Sequence, residues 1–85
     1  MMTELKGTEK QVRWAEEIRE QKLAELEALK AEALEAMPEE TALIEEQMAS
    51  YRARLLKIEY ASEWIDDRGY SVEDIIEVAL PRLGI

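Results

Sequence analysis

The chain has 85 residues, with 20 Asp and Glu against 11 Lys and Arg, and a net charge of −9. It contains no histidine and no cysteine, which removes imidazole acid–base chemistry, imidazole and thiolate metal ligation, and disulfides. An acidic balance of this kind repels nucleic acid unless a local basic patch exists, and it attracts basic protein surfaces.

The length suits one small domain, near the size where a single core becomes marginal. Ala, Glu, Leu, Lys and Arg dominate and glycine and proline are few, a composition that predicts long helices. No apolar run is long enough to cross a bilayer, and no charged-then-apolar leader opens the chain. Neither a membrane span nor a signal peptide is therefore expected, and the lack of cysteine agrees with a reducing cytoplasm.

Residues 1–7 read as a short leader, frayed at its start. Thr8-Glu9-Lys10-Gln11 is a helix-start signal. The Thr8 hydroxyl can accept from the N–H three residues on, while Gln11 reaches back to the N–H of Thr8. The first helix is predicted over 9–36. Its apolar positions repeat every 11 residues: Val12, Leu23 and Leu34; Ala15, Leu26 and Met37; Ile18 and Leu29. That period keeps the stripe almost straight along a helix. Arg19, Lys22 and Lys30 fall in or beside the stripe, where their aliphatic stems can cover apolar surface.

Met37-Pro38-Glu39-Glu40 is the internal breaker. Proline followed by two glutamates suits a first helical turn, where the missing donor costs nothing and negative charge meets the helix dipole. The spacing predicts a tight turn at 36–38 and a second helix over 39–68; a single helix kinked at Pro38 is the competing reading. Ile44, Met48, Tyr51, Leu55, Ile58 and Ile65 form a heptad seam on this second helix, interrupted at Ser62. Gly69 is expected to end it as a left-handed cap. Ser71 then caps a third helix over 72–80, with Val72, Ile75, Ile76, Ala79, Leu80 and Leu83 as its apolar face and Pro81 stopping or kinking it.

The predicted fold is all-α, one domain over 1–85: an antiparallel hairpin of two long helices with a short C-terminal third helix. Leu56, Tyr60 and Trp64 form a second stripe away from the seam. The third helix covers it in one reading; in the other it is a homodimer interface or a docking surface for a partner. Trp14 falls at the same end of the hairpin, where it is expected to cluster with Trp64 and with Tyr60 or Tyr70.

Thr8, Thr41 and Ser71 stand at helix starts, so capping accounts for them better than nucleophilic chemistry. Glu17 with Glu20, and Glu32 with Glu35, have the spacing of helical metal ligands. Bundles that bind paired metals add a histidine to such pairs, so a solvated face explains these. No catalytic residue, cofactor or metal is expected, and the chain does not read as an enzyme. The acidic groups are the most functional-looking feature: Glu16, Glu17 and Glu20 on the first helix, Glu63, Asp66 and Asp67 late in the second, and Glu73, Asp74 and Glu77 opening the third. Asp66 and Asp67 sit where a helix dipole disfavours anions, with Arg68 beside them as a neutralising cation. Should the groups converge around Trp14 and Trp64, they make an acidic patch with aromatic anchors, suited to a protein partner with a basic groove. The plainer alternative is an acidic surface for solubility. Direct nucleic-acid binding is not expected, since Arg52, Arg54 and Lys57 are the only candidates for a basic stripe.

The run Leu5-Lys6-Gly7-Thr8-Glu9-Lys10-Gln11-Val12-Arg13-Trp14-Ala15-Glu16-Glu17-Ile18-Arg19 resembles a segment, G-[ST]-x-K-Q-[VI]-x-W-A-E-x-I-R, of small proteins from bacterial phages and mobile elements. Ala61-Ser62-Glu63-Trp64-Ile65-Asp66-Asp67-Arg68 resembles the second block that often follows it. The resemblance implies a phage or prophage origin, a cytoplasmic setting in a bacterial host, and a role in host or competitor interaction. Small acidic phage proteins include inhibitors of CRISPR nucleases that occupy nucleic-acid grooves, so an inhibitor of a nucleic-acid-processing protein is the sharper expectation. A structural or oligomerising helical hairpin is the alternative.

Overall fold

The computed structural model describes residues 4–85, and they are mostly helical. The predicted leader therefore lies partly outside the described residues, at positions 1–3.

Helix α1 spans Glu9–Ala36, as the spacing predicts. The capping box forms in full: Gln11 N–H donates to Thr8 Oγ1 at 3.2 Å and Thr8 N–H donates to Gln11 Oε1 at 3.1 Å. Ala15, Ile18 and Leu26 are buried, as are Arg19 and Lys22, so the stems of these cations do lie in the apolar stripe. The stripe opens toward the far end of the helix: Leu34 is half-buried and Met37 is exposed.

A short 3-10 turn, Pro38–Glu40, follows, and α2 spans Thr41–Leu55. The turn reading at Pro38 holds, and α2 packs back against α1. Here the predicted second helix over 39–68 needs correction. It stops at Leu55, passes through a tightened turn and an extended stretch to Tyr60, and resumes as α3, Ala61–Asp66. The reason is tertiary. Lys6 N–H donates to Glu59 O at 2.7 Å, and Ala61 N–H donates to Lys6 O at 2.9 Å, an isolated parallel bridge that supplies main-chain hydrogen bonds outside the helix. The expected loose leader is thus a clip, with Leu5 buried beneath it. Gly7 permits the approach, because a Cβ there would lie 3.2 Å from Ala61 Cβ and 3.1 Å from Gln11 Oε1, at a φ of +156°. The heptad seam is real as far as Leu55. Ile58 keeps its phase and is buried, but outside any helix, and Ser62, the interruption, is exposed on α3.

Gly69 is not a left-handed cap: among the described residues the positive-φ positions are Gly7 and Gly84. The turn after α3 is held instead by Lys22, whose Nζ donates to Tyr70 O at 2.6 Å and lies 3.2 Å from Glu25 Oε2. Ser71 caps the last helical segment as predicted, accepting from Asp74 N–H at 3.2 Å. That segment is α4 (Val72–Asp74), a π-helical turn (Ile75–Ala79) and α5 (Leu80–Arg82) in succession. Pro81 does not stop the segment at once; it lies inside α5, one residue before its end at Arg82. Pro81 has no N–H to give to the turn before it, and in that turn Leu80 N–H donates to Ile75 O five residues back. Val72, Ile75, Ala79 and Leu80 join Trp64, Leu55 and the buried part of α1 in one core.

Candidate functional site

The predicted acidic patch divides into carboxylates used inside the fold and carboxylates left at its surface. Asp67 is 6% exposed and accepts two hydrogen bonds from Arg82 Nη2, at 3.2 Å on Oδ1 and 2.9 Å on Oδ2. Glu63 Oε2 lies 3.7 Å from the same nitrogen. The hydrogen bond and charge of Asp67 raise the Arg82 guanidinium above its ordinary pKa. Asp67 and Glu63 therefore latch α3 to α5. Arg68, the neutralising cation that the sequence predicts, instead donates to Ile65 O at 2.6 Å and stacks 4.9 Å from the Trp14 ring centroid. Arg82 was missed because periodicity links residues within one helix, and Arg82 stands 15 positions beyond Asp67, across a turn.

The two tryptophans also part company. Trp64 is 1% exposed and belongs to the core, with its indole N–H lacking a hydrogen-bond partner among the described residues. Trp14 is 46% exposed beneath Arg68, and Tyr60 and Tyr70 are exposed as well. Trp64 thus cannot serve as a surface anchor, while Trp14 can. The C-terminal segment contributes to the core around Trp64, as the first reading of the second stripe expects, but it leaves Tyr60 in solvent beside Lys6.

Glu16, Glu17 and Glu20 are exposed on α1, Asp66 at the end of α3, and Glu73, Asp74 and Glu77 on the last segment. They do not converge on one patch. Glu16 and Glu20 line a groove of about 450 Å³ with Arg19, Leu23 and Arg52. Glu73 and Glu77 line a different one of about 290 Å³, floored by Leu26, Leu29, Met48 and Ile76.

Among the described residues, no group of three or more His, Cys, Asp or Glu side chains is placed to hold a metal ion, and no helix is long and apolar enough to cross a membrane. Comparison with family models, with curated proteins and with solved structures finds no match to the chain.

Proposed function

We propose that this chain is a non-enzymatic binding protein that docks its acidic surface on a basic protein surface of the kind that holds nucleic acid. In this reading it acts in the bacterial cytoplasm as a phage or mobile-element protein, inhibiting a nucleic-acid-processing partner. One observation carries the reading: four of the 11 cations are engaged on the fold's own joints. Lys22, Arg54 and Arg68 each donate to a main-chain carbonyl, of Tyr70, Ile85 and Ile65, and Arg82 is held by Asp67. Glu16, Glu17, Glu20, Asp66, Glu73, Asp74 and Glu77 remain exposed.

Magnitude limits the mimicry. The molecule is 45 Å long, and a DNA duplex of that length carries about 26 negative charges at one per ~1.7 Å. A net charge of −9 is about a third of that, so docking is partial and weakens as salt screens it.

The test is capture of partners from a bacterial lysate at low and high salt, with duplex DNA as competitor. The captured protein is basic, is released by salt, and is displaced by DNA. Reversing Glu16, Glu17 and Glu20 to Lys abolishes capture without loss of helicity. Capture indifferent to salt, DNA and charge reversal rejects the reading. A second reading, a homodimeric assembly hairpin, draws on the exposure of Met37, Leu43 and Val78. Sedimentation at micromolar concentration separates the two, a monomer of 9.8 kDa removing the second.

A further inference from the structure

A different observation concerns the groove between α1, α2 and the π-helical turn. Its floor is apolar: Leu26 is buried, and Leu29, Met48, Tyr51 and Ile76 are half-buried against the core. One wall carries Glu73 and Glu77. A second groove of about 220 Å³ shares Leu29 and Glu73 with it and adds Glu25 and Glu32. The two adjoin at Leu29 and Glu73, and none of the residues lining either is basic. Glu25 is answered within the chain by Lys22 at 3.2 Å, which leaves Glu32, Glu73 and Glu77 as the acidic rim. The groove lined by Glu16 and Glu20 differs in kind, since it contains Arg19 and Arg52, and so does a groove beside Tyr60 and Leu83, which contains Lys57.

We propose that this groove is a docking site for a basic amphipathic helix of a partner protein, its apolar side chains on Leu29, Met48 and Ile76 and its Lys or Arg residues on Glu73 and Glu77. The chemistry is that of a helix laid into a groove: apolar anchors from one helical face enter the floor while the flanking charges meet the rim. Met48 supplies an adaptable floor, as methionine does on surfaces that accept varied apolar shapes. Part of the wall, Ile76 and Glu77, is a π-helical turn, a feature common at functional sites. Charge decides the occupant. A second copy would bring an acidic rim against an acidic rim across a two-fold axis, and an anionic membrane would be repelled in the same way.

This site shares Glu73 and Glu77 with the acidic-surface reading and goes beyond it by its apolar floor. A partner held by surface charge alone is released by salt, whereas one seated in the groove keeps its apolar contacts.

The test uses the full chain, isotope-labelled for NMR, titrated with a synthetic peptide of leucine and lysine about four helical turns long. A peptide of the same composition in scrambled order, and one with glutamate in place of lysine, serve as controls. The amphipathic basic peptide shifts the resonances of Leu29, Met48, Ile76 and Glu77, and binds at least about tenfold more tightly than either control. The double variant Glu73→Lys with Glu77→Lys weakens binding by about tenfold, while Glu35→Lys with Glu46→Lys, exposed and away from both grooves, weakens it far less. Equal weakening by the two doubles, equal binding of the scrambled peptide, or shifts spread along the Glu16–Glu20 side of α1 each overturn the site. Groove shifts that grow with protein concentration in the absence of peptide overturn it in favour of self-association.

Discussion

Around the start of α1 the chain gathers Leu5, Ala15, Ile18, Trp64, Val72 and Leu80 into one core, whereas around the turn at Pro38 Ile44 is buried while Met37 and Leu43 face solvent. The first region draws on four separated stretches of sequence and is cross-tied by the Lys6 clip, the Lys22 bond to Tyr70 O, the Arg68 stack on Trp14 and the Asp67–Arg82 latch. The second is two helices and a 3-10 turn. The difference teaches what two blocks of sequence, residues 5–19 and 61–68, do in the fold. Gly7, Thr8, Gln11, Ala15 and Ile18 of the first block, and Ala61 and Trp64 of the second, make the joint between α1 and α3, while Asp67 ties α3 to α5. They specify a body.

The sharpest way to break this contrast is Trp64→Ala. It empties the centre of the dense region and costs about 3–5 kcal/mol, a large share of the stability of so small a domain. Urea denaturation measures it. A loss below about 1 kcal/mol would show that the body does not depend on its largest buried side chain.

Gly7→Ala comes next, because the added Cβ meets both Gln11 and Ala61 at a φ of +156°. The expected cost is about 1–3 kcal/mol. It should appear with loss of protection at the amides of Lys6 and Ala61, which the clip holds. Thr8→Ala removes the cap and costs about 1 kcal/mol by thermal melting. Leu43→Glu, on the exposed side of the arm, should change stability by no more than about 0.5 kcal/mol. A larger loss there would mean that the arm's outer face is packed.

Much of the dense region was legible only in pieces. The capping box at Thr8 and Gln11, the 9–36 limits of α1, the turn at Pro38 and the Ser71 cap are local, and local chemistry decides them. The break at 56–60 was not legible, because Ile58 and Ile65 continue the heptad phase and nothing local forbids a helix there. What forbids it is Lys6, more than fifty residues earlier, pairing with Glu59 and Ala61. The acidic candidates divide in the same way. Glu16, Glu17 and Glu20 are exposed as one helix face predicts, while Asp67 is claimed by Arg82 from another element.

Native-state hydrogen exchange tests the central contrast most directly. Amides of Ala15, Ile18 and Trp64 should exchange only through global unfolding, while those of residues 34–36 and 42–50 exchange through local opening at lower free energy. Uniform protection along the whole of α1 and α2 would contradict a dense body carrying a thinly held arm.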